Sequence, residues 1–292
     1  MLDCGGRRLN GKLDMEGPRH KDWDQVERDI ERSLFKLIEP AQLQPKRKEL
    51  SVLLHNIFVN NPDFNYYQGY HDIASVLLIL FGSPESAYGP LETLSRHHIR
   101  DFLTPNFDPV IHLLQQLYPI LLKTDPEVHT HLQEAKIEPF FALGWVITWF
   151  GHVIDSVPVV SGIWDFLLVS HPSAIIYVAA SVIIERRAQL LKIQPESSAI
   201  HTFLSKVPPE LPFPAILKRA KQMMQKWPPG DTKSDKIGAI TYPQTKIPNY
   251  PFPWMTEKPH YWNLLNHPWR VSCTVIVFVS IAGYYYFQHN KP

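Results

Sequence analysis

The sequence predicts an all-α chain, with a single helical domain followed by one C-terminal transmembrane helix. Three observations predict it. Across residues 21–227, apolar side chains recur at the three- and four-residue intervals that line one face of a helix. No alternating run and no hairpin turn interrupts them, and residues 157–160, though β-branched, are too few to force a sheet. Residues 271–287 then hold 17 positions without a charge, which as a helix would span about 26 Å.

The elements follow in order. Residues 1–20 are polar, contain Gly5-Gly6 and lack periodicity, so they are expected to be disordered. Residues 23–38 place Val26, Ile30, Leu34 and Leu37 on one stripe. Leu50, Leu53, Leu54, Ile57 and Phe58 form a second stripe, ended by Asn60-Asn61-Pro62. Residues 73–81 are apolar almost all round, which predicts a central helix. Further helices are expected over 111–122, 140–154, 159–169, 175–191 and 199–204, with Asp125-Pro126, His171-Pro172 and Pro208-Pro209 as breaks. The helical domain is thus drawn over 21–227. Residues 228–268 carry eight prolines, too many to sustain a helix, and read as a semi-extended linker. A tail anchor is expected over 269–288. Its uncharged core suits the endoplasmic reticulum bilayer, about 27 Å thick. Trp269 and Arg270 flank one end, and Tyr284, Tyr285 and Tyr286 the other, as interfacial residues do. The bulk of the chain is then expected in the cytosol.

Composition narrows the chemistry. Lys+Arg exceeds Asp+Glu by 29 − 28 = 1, which argues against nucleic-acid binding by bulk positive charge. The two cysteines, Cys4 and Cys273, form neither a disulfide framework nor a metal spacing. Prolines number 27 and glycines 13, a ratio that points to helices with proline-marked starts or to an extended linker. Phosphate-loop, dinucleotide, zinc-protease and nucleophile-elbow motifs are absent. No metal site is expected: His97-His98 are adjacent and His129 and His131 lie two apart, spacings that splay side chains on a helix. His152 and Asp155 lie one turn apart but have no nucleophile with them.

Two patterns carry a signal. In Val26-Glu27-Arg28-Asp29-Ile30-Glu31-Arg32, the helical period sets Arg32 nearly opposite the apolar stripe, with Asp29 one turn before it on the same side. In Asn65-Tyr66-Tyr67-Gln68-Gly69-Tyr70-His71-Asp72, Gly69 permits a tight turn into the central helix and presents Gln68 at its start. Alone, the first reads as a solvated helix face and the second as an aromatic loop.

Together, V-x-x-D-x-x-R and Y-x-Q-G resemble the catalytic pair of TBC domains, the Rab GTPase-activating proteins. The stretches Pro139-Phe140-Phe141-Ala142-Leu143, Trp145, Thr148-Trp149-Phe150-Gly151-His152 and Ile163-Trp164-Asp165-Phe166 resemble later helices of that family. With the C-terminal span, the resemblance is to an endoplasmic reticulum-anchored member. It differs at Gly144, where many members carry arginine, and in its short N-terminus. Arg19 and Trp23 match the spacing of an upstream Arg-x-x-x-Trp motif but lie too close to Arg32 to be it.

The resemblance implies catalysis in trans. Arg32 would enter the site of a Rab-family GTPase as an arginine finger, and Gln68 would orient the attacking water. Asp29 would hold Arg32, while Tyr66 and Gly69 would support the glutamine turn. The protein would need no cofactor, because GTP and Mg²⁺ belong to the partner. It would act in traffic from the endoplasmic reticulum to the Golgi, held to the membrane by residues 271–287. The alternative is a membrane-anchored adaptor that binds a Rab without stimulating hydrolysis.

Overall fold

The computed structural model describes residues 13–34 and 37–229. Among them every regular element is helical, and none is long and apolar enough to cross a membrane. The expected span at 269–288 and the linker beyond residue 229 lie outside the described residues. Two compact units divide the chain after Pro105.

The first unit contains α1 (Trp23–Glu31), α2 (Pro40–Asn60), α3 (Tyr70–Phe81), α4 (Pro84–His97) and a 3-10 turn, Arg100–Phe102. Helices α2, α3 and α4 pack on one another, and α1 lies on α2 and α3. Leu50, Leu53, Leu54 and Ile57 of α2 are fully buried, as are Ile73, Ala74 and Leu78 of α3. The expected disorder over 1–20 does not extend to residues 13–20. Leu13 is buried, His55 Nε2 lies 2.8 Å from the Glu16 carbonyl, and Asn56 Nδ2 donates to the Asp14 carbonyl at 2.6 Å.

Helix α1 stops earlier than its apolar stripe predicts. Instead of running to residue 38, it ends at Glu31, with Arg32 as its C-cap. Ser33 Oγ turns back to the Ile30 carbonyl at 2.7 Å, and Leu34 takes a left-handed φ of 67° while remaining buried. Arg47 of α2 donates to the Ser33 carbonyl from Nε and Nη2 at 3.3 and 3.1 Å. The Arg32 and Ser33 amides close carbonyls of the last turn of α1, at Asp29 and Ile30, and Arg47 satisfies the Ser33 carbonyl just beyond the helix.

The second unit is built around α10 (Ala174–Glu185), in which every residue from Ala174 to Ile183 is buried. It packs against α6 (Leu117–Thr124), α8 (Leu143–Ile147) and α13 (Phe213–Lys226). The unit also holds α5 (Asp108–Gln115), α7 (Pro126–Glu134), α9 (Val157–Leu168), α11 (Arg187–Leu190) and α12 (Ser197–Leu204). Residues 157–160 open α9. The helix expected over 111–122 is split between α5 and α6, and that over 175–191 between α10 and α11.

The stretch expected as a helix over 140–154 is a 3-10 turn, Pro139–Ala142, then α8, then a reversal. Trp149 and Phe150 have φ of 49° and 65°. Both are buried, Phe150 stacks on Trp145, and the Trp164 indole donates to the Trp149 carbonyl at 2.8 Å. Such conformations cost about 1–3 kcal/mol each, but burying a large side chain returns a comparable amount. A straight helix would spread these rings around its circumference.

The break at Asp125-Pro126 separates α6 from α7 and also opens α7, and Ser83-Pro84 opens α4 in the same way. Ser83 caps α4 by accepting from the Ser86 amide at 3.3 Å, and Asp125 caps α7 by accepting from Val128 at 3.2 Å. Proline occupies one of the first two positions of α2, α4, α5, α7, α9 and α13, where its missing N–H costs nothing.

Candidate functional site

The two sequence patterns meet in the first unit, at the C-terminal end of α1 and the turn that leads into α3. The turn is held at both ends. The Asn65 amide donates to the Leu103 carbonyl at 2.9 Å, and Lys21 Nζ donates to Asn65 Oδ1 at 2.6 Å. His20 stacks on Phe58 and its Nε2 lies 3.1 Å from the Phe64 carbonyl. At the other end the Tyr70 amide donates to the Tyr67 carbonyl, with Tyr67 and Tyr70 buried beneath.

Gly69 is the N-cap of α3, with φ 113° and ψ −17°. A side chain is strained there, so glycine is what allows the chain to enter α3 directly after Gln68. Gly69→Ala is expected to cost about 1–2 kcal/mol of stability. Gly82, the C-cap of α3, has φ 81° and open space around it, so Gly82→Ala should cost a similar amount. The two differ in what they move: Gly69→Ala alone should also displace Gln68, which, in the role the resemblance implies, lowers GTPase activation by on the order of 10²-fold for a shift near 1 Å. Thermal melts and hydrolysis assays on the pair separate strain from misplacement.

Asp29 organises the site. It is fully buried, whereas the helical period places it on the outer side of α1 with Arg32. The side chains of Tyr66 and His71, at the two ends of the turn into α3, cover Asp29 on that side of the helix. Tyr66 Oη donates to Asp29 Oδ2 at 2.7 Å. Gln25 Nε2 donates to Oδ1 at 2.9 Å, and Arg32 Nη2 donates to the same oxygen. Both carboxylate oxygens are thus committed, which is what a buried charge requires. Burial opposes the ionised form, but the bonds from Tyr66, Gln25 and Arg32 outweigh it, and Asp29 stays below the ordinary carboxylate range. Burial and the adjacent Asp29 carboxylate push the Tyr66 phenol far above its usual value, so it remains a donor.

The two projecting side chains are exposed. Arg32 is 62% exposed although one nitrogen is held by Asp29, and Gln68 is also exposed. Arg32 therefore presents the rest of its guanidinium to solvent from a fixed base. One residue that the motifs left without a role joins the group. His71, in the first turn of α3, has Nδ1 3.0 Å from Tyr66 Oη and 3.9 Å from Asp29 Oδ2. Its Nε2 lies 3.5 Å from Asp72 Oδ1. The available signal was its spacing: five residues from Tyr66, across Gly69. Among the described residues, no cluster of three or more His, Cys, Asp or Glu is arranged to hold a metal.

This geometry of an arginine and a glutamine, based on one buried carboxylate, can be set beside known proteins. Residues 8–192 match the Rab-GTPase-TBC domain family. The chain belongs to that family. TBC1 domain family member 20 of Homo sapiens is 36% identical over 214 residues, 72% of this chain and 53% of that protein. GTPase-activating protein gyp10 of Schizosaccharomyces pombe is 31% identical over 243 residues, 82% of this chain and 65% of that protein. The chain spans about half the length of the TBC1 domain family member 20 proteins it matches. The crystal structure of the Chlamydomonas flagellar RabGAP TBC domain aligns with a TM-score of 0.54, at 15% identity. That alignment covers 70% of this chain and 66% of that one, and at such identity it establishes the fold alone. The TBC match spans both compact units, while α12 and α13 lie beyond it.

Proposed function

We propose that this TBC chain accelerates GTP hydrolysis on a Rab-family GTPase, with Arg32 as arginine finger and Gln68 as glutamine finger. The observation that supports it is the shared base: Asp29 binds Arg32 with one oxygen and Tyr66, two residues before Gln68, with the other. Arg32 neutralises charge developing on the β- and γ-phosphate oxygens, in a site the partner provides. Gln68 accepts a hydrogen bond from the attacking water through its carbonyl and donates through its amide, which fixes the line of attack. GTP and Mg²⁺ are carried by the partner, so this chain contributes only positioned donors and an acceptor. The test is single-turnover hydrolysis across purified Rabs. Acceleration of at least one Rab supports the reading. Binding without acceleration of any Rab favours an adaptor.

We also propose that residues 271–287 hold the domain to the cytosolic face of the endoplasmic reticulum, for traffic towards the Golgi. The support is their uncharged length and flanking aromatics. A chain ending at His267 is expected to move from the membrane pellet to the soluble fraction of lysed cells, and persistence in the pellet would refute the anchor.

A further inference from the structure

We infer that His71 is a positioning residue for the glutamine finger, donating a hydrogen bond from Nδ1 to Tyr66 and so closing the turn that carries Gln68. The inference rests on the Rab-activating reading and assigns a role to a residue outside both motifs.

Proton counting gives the direction of the bond. Tyr66 has one hydroxyl proton. Its oxygen lies 2.7 Å from a carboxylate oxygen of Asp29, a distance that requires a proton between them. Asp29 is ionised and already accepts from Gln25 and Arg32, so the proton comes from Tyr66. Tyr66 can then only accept from His71, 3.0 Å away. Nδ1 of His71 therefore carries hydrogen, whether the ring is neutral or charged. Nδ1–H donates to Tyr66, and Tyr66 donates to Asp29, in a chain whose members polarise one another.

The position of this bond gives it a function. Tyr66 and His71 lie on either side of Gln68 and Gly69. Their side-chain hydrogen bond spans Gln68 and Gly69, and adds to the backbone bonds from Tyr70 to Tyr67 and from Asp72 to Gly69. His71 is anchored in α3, where Ser75 Oγ donates to its carbonyl at 2.6 Å, and its ring is almost buried. Without the Nδ1 donor, Tyr66 loses one of two bonds to its hydroxyl, and Gln68 samples positions that do not align water.

The test uses the 292-residue chain in detergent micelles and the Rab it accelerates most. The maximal single-turnover rate and the half-saturating concentration are measured separately. His71→Phe should lower the maximal rate by about tenfold, the scale of one hydrogen bond, with the half-saturating concentration within about twofold of wild type. His71→Asn, which places an N–H near the Nδ1 position, should restore most of the rate. His71→Gln, which places it near Nε2, should not. Adding His71→Phe to Tyr66→Phe should produce no further loss, because His71 acts through Tyr66. The ¹⁵N spectrum, assigned by loss of the His71 signal in His71→Asn, should show a protonated Nδ1. A wild-type rate in His71→Phe overturns the inference, as do additive losses, the reverse order of Asn and Gln, or an unprotonated Nδ1. Should His71→Phe fail to fold, the Asn and Gln pair decides. Arg32→Ala, run in parallel, separates the readings: if it abolishes acceleration and His71→Phe is indifferent, only the role of His71 fails. If wild type accelerates no Rab, both fail together.

Discussion

Arg32→Ala is expected to lower the maximal rate of Rab-bound GTP hydrolysis by about 10³-fold or more, while the domain stays folded. The size follows from what a trans arginine supplies: about 10³–10⁵ in rate, or roughly 4–7 kcal/mol of barrier. The sparing of the fold follows from its place. Arg32 is 62% exposed and lies at the C-cap of α1 with φ −97° and ψ −1°, which alanine adopts freely. Its bond with Asp29 gives up little stability, since an exposed arginine keeps much of its hydration. Arg32→Lys retains a charge but not the planar fork that can bond Asp29 and still face phosphate, so it should recover only a small part of the rate. Stopped-flow or filter-based single-turnover assays measure the rates, and thermal melts monitor the fold.

Asp29→Asn should damage activity and stability together. The native carboxylate receives three donors on two oxygens. An asparagine of the same shape offers one accepting oxygen and an amide that faces a donor. Either the Arg32 side or the Tyr66 side then meets N–H against N–H or O–H. An unsatisfied buried group costs about 1–3 kcal/mol, which is also the expected loss of stability. In the proposed mechanism Arg32 and Gln68 lose their common base, so the maximal rate should fall by about 10²-fold or more, since a 1 Å misplacement alone costs on that order. The pH dependence has a definite sign. The folded-state pKa of Asp29 lies below the usual 3.8, so its stabilisation is present above that value and is lost as pH falls through the folded value. The stability difference between wild type and Asp29→Asn should therefore be constant near neutrality and shrink only below about pH 4. Chemical denaturation at several pH values checks this. A difference that disappears near pH 6 would mean that Asp29 is not the buried anion described.

The motifs exposed the identities of these residues better than their surroundings. Arg32, Gln68, Asp29, Tyr66 and Gly69 stand at recognisable spacings, and the glycine turn into α3 is readable because few other residues tolerate its φ. The burial of Asp29 was not legible. The helical period places it on the outer side of α1 with Arg32, and whether that side is covered depends on a partner 37 residues away. The early end of α1 was hidden for the same reason: Arg47, which satisfies the Ser33 carbonyl just beyond it, comes from another helix. His71 stands two residues beyond Y-x-Q-G, yet its role depends on the direction of one proton. In the second unit, the reversal at Trp149 and Phe150 contradicts the local pattern, because buried aromatic packing outweighs backbone preference there. The starts of α4 and α7 were legible in principle, as Ser83-Pro84 and Asp125-Pro126, once proline is read as opening a helix.

The most direct test of the shared base is a double-mutant cycle on single-turnover hydrolysis. Wild type, Arg32→Ala, Asp29→Asn and their combination are compared on one accelerated Rab. If Asp29 acts by holding Arg32 and the Gln68 turn, Arg32→Ala should remove most of the acceleration, and Asp29→Asn should cost far less in its presence than in wild type. Independent, multiplicative losses, or full acceleration by Arg32→Ala, would contradict the account.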